Sequence, residues 1–194
     1  MPLDRPHRLR EVRLIVVAAA FLGALSSLGD WIWFRFLTDG DPVAGIAHGA
    51  IFFVALAAVL GWSAGTWAAT RRLLLALPIA GVLLAAAFYP LYFVVGYLGS
   101  LLVTWVGMWI TLAFAQRWAR AEGESARRAV LRGVAAAIGS GLAFYLVKDM
   151  WTAPSPDGPD LVGHAWRWAF AFFPGLLALG IAHPPAGASA PTEG

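Results

Sequence analysis

The sequence predicts an all-α integral membrane protein, a bundle of six transmembrane helices with both termini in the cytoplasm. Composition, the lengths of the apolar stretches and the placement of the basic residues each point to this fold class. Of the 194 residues, 60% are hydrophobic and 13% are charged, whereas soluble domains average roughly 45–50% apolar and about 25% charged residues. The core of a soluble domain cannot bury such a large fraction of apolar residues, and disordered chains do not contain so many of them.

Six apolar stretches are long enough to cross a bilayer, which takes ~20 residues. Backbone N–H and C=O groups in lipid must form hydrogen bonds within the protein, which only helices and closed barrels achieve. Because the apolar stretches are continuous rather than alternating, they favour helices over barrel strands. The predicted spans cover residues 14–33, 46–69, 73–95, 97–115, 129–147 and 161–181. The expected organisation is a basic cytoplasmic arm (1–13), a transmembrane domain (14–181) and a flexible cytoplasmic tail (182–194).

The basic residues predict the orientation of these spans. Eleven of the fourteen lie in the N-terminal arm and in the loops after the second and fourth spans. The opposite side holds Arg35, Lys148 and Arg167. Because basic residues favour the cytoplasmic side, the termini are expected there. The split also supports the count of six spans, since one missed span would mix the basic residues of the two sides.

The half of the membrane nearer the basic side contains almost no ionisable side chain. Ion-coupled transporters and proton relays need such groups near the midplane, and voltage sensors need a ladder of arginines. Channel filters need ordered rings of carbonyls or charges. The chain has no cysteine, which excludes disulfides, thiolate metal sites and cysteine nucleophiles.

Polar residues collect instead at the outer ends of the predicted helices, together with several tryptophans. Asp30, His48, Asp149 and His164 all fall at this level. The favoured interpretation is an aromatic belt with interfacial ion pairs. The alternatives are a site for metal or acid–base chemistry, for which no diagnostic ligand spacing is present, and recognition of lipid headgroups by basic residues.

Small residues predict close contacts between helices. The second span contains Gly45-x-x-x-Gly49 and Gly61-x-x-x-Gly65, and the fifth contains Gly139-Ser140-Gly141. Such faces let helix backbones approach one another. Packing within one chain is the first expectation; self-association or a slot for a lipid is the alternative.

Prolines and aromatic residues together predict a cavity in the membrane. Pro78, Pro90 and Pro174 interrupt predicted spans and are expected to kink them. An apolar cavity with a few hydroxyls suits a ligand with an alkyl body and a small polar head; the alternative is that the aromatic rings only fill helix contacts. The candidate ligand-binding residues are Trp33, Phe52, Trp62, Phe88, Tyr89, Tyr92, Trp105, Trp109 and Tyr145.

Three local patterns resemble the Insig (insulin-induced gene) family, including its bacterial members. Ser155-Pro156-Asp157 precedes a last span with Trp168, Phe172-Phe173 and Gly175, and residues 99–111 and 133–145 add similar spans. The resemblance covers roughly residues 10–182. It implies a non-catalytic protein that binds a sterol- or diacylglycerol-like lipid and assembles as a homo-oligomer, with a trimer as the expected order. The family's acidic segment between spans three and four and its retrieval tail are absent here, so no particular membrane-protein partner is implied.

The expected function is therefore that of an Insig-like regulator or scaffold in a bacterial cytoplasmic membrane, with a membrane lipid as ligand. No catalytic residue, metal, cofactor or nucleic-acid partner is expected. Two alternatives remain. One is a membrane enzyme or metal-binding protein that uses the outer His and Asp residues, and the other is a small-solute permease.

Overall fold

The structure, a computed structural model, describes residues 5–36, 42–120, 124–147 and 160–180. These residues form five α-helices and no strand, which confirms the all-α class. The helices are α1 (Arg5–Phe36), α2 (Pro42–Ala64), α3 (Trp67–Arg120), α4 (Ala126–Leu146) and α5 (Leu161–Leu179). Because α1 begins at Arg5, most of the predicted N-terminal arm is helical, while the predicted C-terminal tail lies outside the described residues.

Four of these helices are long and apolar enough to cross a membrane, so the chain is a membrane protein. Their apolar parts are Val12–Ile32, Gly45–Ala64, Trp67–Arg120 and Ala126–Leu146. Helix α5 has 19 residues and is not among them. Its first turns carry His164 and Arg167, which lower the hydropathy of an otherwise apolar helix.

The prediction of six helices is wrong for the described residues, because the third and fourth predicted spans both belong to α3. A straight helix of this length, 54 residues, would extend about 81 Å at 1.5 Å per residue. The helix is broken at Gly96, where φ is 73° and ψ is 177°. This conformation is accessible to glycine and strained for other residues.

The chain reverses direction at this break. A Cβ atom built on Gly107 would lie 3.1 Å from Cδ2 of Leu84, and the rings of Phe88 and Tyr97 are 6.0 Å apart between centroids. Both pairs would be far more distant along a straight helix. We call residues 67–120 the α3 hairpin, with a first arm over 67–95 and a second arm over 97–120.

Glycines bring the helices into close contact. A Cβ on Gly49 of α2 would lie 2.9 Å from the Cβ of Ala85 on the first arm, and one on Gly133 of α4 would lie 2.6 Å from the Cα of Ile110 on the second arm. Gly61 of α2 likewise packs against Thr70. Gly49, Gly61 and Gly133 thus act in packing within the chain.

An aromatic core fills the space where α3, α4 and α5 meet. Phe172 of α5 is buried and stacks on Trp105 at 6.1 Å and on Trp168 at 5.5 Å between ring centroids. Phe144 of α4 lies 5.3 Å from Trp168, and Phe52 of α2 lies 5.5 Å from Phe172. These offset and tilted contacts stabilise the arrangement beyond simple burial of area.

The basic end of the bundle is held by a polar network around Arg132 of α4. Its guanidinium donates to both carboxylate oxygens of Glu124, at 2.9 and 2.6 Å, to Oε1 of Gln116 at 2.7 Å and to the carbonyl of Leu179 at 2.5 Å. Nη2 of Arg120 donates to the carbonyl of Gly180 at 3.2 Å. These cations cap the last carbonyls of α5, where a helix C-terminus favours positive charge. We call this set of residues the Arg132 network.

Candidate functional site

A cavity of about 290 Å³ lies between the second arm of the α3 hairpin, α4 and α5. Its walls are almost entirely hydrocarbon. The second arm contributes Leu101, Leu102, Trp105 and Val106, α4 contributes Ala137, Ile138, Gly141, Leu142, Phe144 and Tyr145, and α5 contributes Trp168.

Helical periodicity explains how these residues come to share one cavity. Positions three and four apart lie on one face of a helix, and Ile138, Gly141 and Tyr145 follow this spacing on α4. Gly141 leaves the central space open. A Cβ there would lie 3.7 Å from Nε1 of Trp105, which is an ordinary contact distance, so the wall at this point consists of backbone.

The cavity opens on the outer surface of the bundle. Leu102, Ile138, Leu142 and Tyr145 line it and are also more than half exposed. The opening is therefore accessible from the side of the bundle, between α4 and the second arm of the α3 hairpin.

The indole nitrogens of the two wall tryptophans both donate hydrogen bonds within the protein. Nε1 of Trp105 donates to the carbonyl of Ala137 at 3.4 Å, and Nε1 of Trp168 donates to Oδ2 of Asp30 at 2.7 Å. The interior is therefore apolar, and Tyr145, which is exposed, is one of its lining residues. This chemistry accommodates an alkyl or ring system rather than a charged group.

Behind Trp168 lies a polar cluster formed by α1 and α5. Nε2 of His164 is 3.0 Å from Oδ2 of Asp30, the same oxygen that accepts from Trp168. The His164 side chain is only 4% exposed, whereas that of Asp30 is 29% exposed. Nδ1 of His164 is buried without a hydrogen-bond partner among the described residues. We call Asp30, His164 and Trp168 the outer triad.

The structure brings together part of the predicted outer set. Asp30 and His164 form the pair above, and the imidazole of His48 packs directly against Gly29, next to Asp30. Asp149 lies outside the described residues. Within the part of the chain that the structure describes, no three His, Cys, Asp or Glu side chains are grouped to hold a metal ion.

The nine predicted ligand-binding residues fall in several places. Trp105 and Tyr145 line the cavity. Trp109 is fully buried beside Phe172, and Phe52 belongs to the aromatic core.

The other five predicted residues lie away from this cavity. Phe88 and Tyr89 pack edge to face near the reversal of the α3 hairpin, and Tyr92 lies near that turn and is exposed. Trp62 is exposed near the end of α2. Trp33 belongs to α1, and its side chain lies outside the described part of the structure.

The most informative residues that the sequence did not assign to a ligand site are Ile138 and Trp168. Gly141 and Ile138 lie four and seven residues before Tyr145, so helical periodicity predicts that these residues share one face of α4. Trp168 comes from α5, and its part in the cavity depends on the docking of α5 beside α4, which sequence spacing does not reveal.

Comparisons of this chain with known protein families, with characterised proteins and with solved structures find no match.

Proposed function

We propose that this protein is an intramembrane lipid-binding protein that acts as a regulator or scaffold rather than as a catalyst, in the manner of the Insig family. The observation that carries the proposal is the lipid-facing cavity between α3, α4 and α5, whose walls are apolar. Ligand sites are usually such concave, mostly apolar pockets, with few polar groups to fix orientation.

The proposed orientation places six crossings in the bilayer. Each arm of the α3 hairpin is counted as one crossing, together with α1, α2, α4 and α5. Basic residues at the start of α1, at Arg71 and Arg72, and around Arg132 then lie on one side. The excess of positive charge supports a cytoplasmic location for this side and for both termini, in a bacterial cytoplasmic membrane.

The chemistry of the cavity supports a neutral lipid with a small polar head, such as a sterol-like or diacylglycerol-like molecule. A volume of about 290 Å³ is at the lower end of ligand sites, which run from roughly 300 to 1,000 Å³. One ring system or part of one acyl chain occupies it, and the remainder of the ligand lies in the bilayer. We place the head of the ligand beside Tyr145, an exposed aromatic residue of the cavity lining.

Filling the cavity tests this proposal. In Gly141→Leu the new side chain enters the open space in front of Trp105, where the nearest wall atom leaves room for a Cβ. We expect the variant to fold and to retain at least about tenfold less co-purified lipid, a loss equivalent to about 1.4 kcal/mol of binding free energy. Native mass spectrometry of the detergent-purified protein measures the lipid directly.

The matched control is Ala24→Leu. Ala24 lines a different groove, of about 360 Å³, between α1 and α5, so the same added volume leaves the proposed site unchanged. Equal lipid retention by wild type and Gly141→Leu contradicts the proposal, as does a wild-type protein that binds neither added diacylglycerol nor added sterol. The same spectra give the mass of any homo-oligomer and so test the expected trimer.

A further inference from the structure

The α3 hairpin turns without a polar loop. From residue 73 to residue 116 the chain contains no Asp, Glu, Lys or Arg, a run of 44 residues, although Arg72 precedes it and Arg117 follows it. The reversal is made by Gly96 alone, and the helical conformation continues close to it on both sides. The other two segments that the sequence predicts on the same side of the membrane, 34–45 and 148–160, both contain aspartates.

The turn exposes large apolar side chains. Phe93 is 85% exposed and Val94 is 80% exposed, and Tyr97 and Leu98 beside them are also exposed. We call residues 92–98 the apex. Contiguous apolar surface is costly in water, at roughly 25 cal/mol per Å², and monomeric proteins rarely display large patches of it.

The lengths of the arms show what lies around the apex. Residues 73–95 and 97–116 number 23 and 20, which corresponds to about 35 Å and about 30 Å of helix. The hydrocarbon core of a bilayer is ~30 Å thick and the whole bilayer ~40–45 Å. Arms that begin at the basic side therefore end near the far boundary of the hydrocarbon, with no further residues to cross the headgroups.

The backbone at the reversal is compatible with a location in lipid. Polar backbone groups must find partners inside the protein there. The buried hydroxyl of Ser100 lies 2.9 Å from the carbonyls of both Gly96 and Tyr97 and shares its one hydrogen between them, so this side chain near the reversal needs no bond to water. Tyr92 and Tyr97 supply the amphipathic rings typical of the membrane boundary.

We propose that the apex is a lipid-docking surface, held beneath the headgroups of the leaflet opposite the basic end, and that the α3 hairpin has no loop in water on that side. The occupant of this surface is the acyl-chain region of the bilayer. The inference depends on the membrane location of the hairpin and is independent of the lipid cavity.

The absence of cysteine from the chain makes a direct test possible. Single-cysteine variants Val94→Cys, Asp160→Cys and Ala126→Cys are labelled with a nitroxide and reconstituted in vesicles of phosphatidylethanolamine and phosphatidylglycerol. Val94 marks the apex, Asp160 is an exposed residue before α5, and Ala126 is an exposed residue at the start of α4. Electron paramagnetic resonance then compares collisions of each label with oxygen, which concentrates in lipid, and with a water-soluble nickel chelate.

We expect oxygen collisions to dominate at position 94 and nickel collisions to dominate at positions 160 and 126. Accessibility to the nickel chelate should be at least about tenfold lower at position 94 than at position 160. This ratio corresponds to a free energy of about 1.4 kcal/mol for excluding the chelate from the apex. Equal nickel accessibility at positions 94 and 160 overturns the proposal, because the apex would then be in water. Protection of position 94 from both reagents also overturns it, because a second copy or another protein would then cover the apex.

The outcome of this test is independent of the outcome of the lipid-retention test of the cavity. The chelate is present on both sides of the vesicles, so the result does not depend on which way the protein is inserted. Val94→Cys leaves the cavity walls unchanged, and native mass spectrometry of this variant should show the lipid content of the wild type.

Discussion

The two ends of the bundle hold their buried polar groups in different ways. In the Arg132 network one guanidinium donates to a carboxylate, an amide oxygen and a helix-terminal carbonyl, so one cation links α4 to α3 and α5. In the outer triad Oδ2 of Asp30 accepts from Nε1 of Trp168 and lies 3.0 Å from Nε2 of His164, and Nδ1 of His164 has no partner among the described residues. The first arrangement closes a helix end, whereas the second adjoins the wall of the cavity.

Incomplete pairing is common to both ends, since Nε2 of Gln116 in the Arg132 network is also buried without a hydrogen-bond partner among the described residues. The two ends differ in their charged centre: at the basic end a cation links three helices, and at the other end a carboxylate binds a tryptophan of the cavity wall. Trp168 is the link, because its ring lines the cavity and its Nε1 binds Asp30.

The largest expected effect is at the basic end. Arg132→Met removes the partner of Glu124, whose side chain is only 7% exposed, and leaves the last carbonyls of α5 without that donor. Breaking such a pair from one side costs about 3 kcal/mol, so the free energy of unfolding in detergent should fall by that amount. The control Arg128→Met, at an exposed position near the start of the same helix, should change it little.

The double variant Arg132→Met/Glu124→Gln sharpens this result. Because it removes both charges, it should be more stable than Arg132→Met alone. If the two variants were equally stable, the buried carboxylate would not be the source of the loss.

A smaller effect is expected for Asp30→Asn at the other end. The amide preserves the shape of the side chain but weakens the bonds from Trp168 and His164, which are stronger to a charged acceptor. We expect a loss of about 1.5 kcal/mol in unfolding free energy, together with reduced lipid retention because the Trp168 wall is less firmly held. Unchanged stability and unchanged lipid content would show that the carboxylate does not position Trp168.

His164 provides a finer distinction between its two ring nitrogens. In His164→Gln the side-chain amide nitrogen lies near the position of Nε2, which faces Asp30. In His164→Asn the shorter amide reaches only the position of Nδ1, which has no partner among the described residues. His164→Gln should therefore remain within about 0.5 kcal/mol of the wild type, and His164→Asn should lose about 1 kcal/mol. The reverse order, measured by thermal unfolding of both variants in the same detergent, would mean that Nδ1 makes the important contact.

The smallest effect is expected for Arg167→Ala. Arg167 binds Asp160 at 3.0 Å, but the side chain of Asp160 is 64% exposed, and exposed ion pairs contribute only about 0–1 kcal/mol. A loss comparable with that of Asp30→Asn, measured by the same thermal unfolding, would place this pair in the same structural unit as the outer triad.

Hydropathy alone predicted much of the fold and little of the cavity. The boundary expected between residues 95 and 97 is where Gly96 reverses the chain, but hydropathy cannot tell a break within one helix from a loop between two. Aromatic content suggested Trp62 and Tyr92 as readily as Trp105 and Tyr145, although only the last two line the cavity. The choice depends on which helix faces meet, and that is determined by close contacts such as Gly133 with Ile110.

The charge-free α3 hairpin also affects how the protein is made. A loop with aspartates must be carried through the hydrocarbon during biosynthesis, at a cost of about 2.5–3.5 kcal/mol for each charge at the bilayer centre. Residues 73–116 carry no charged side chain, so insertion of both arms requires no charge to cross the hydrocarbon. For this part of the chain, the step from ribosome to bilayer requires partitioning into lipid and no translocation of charge.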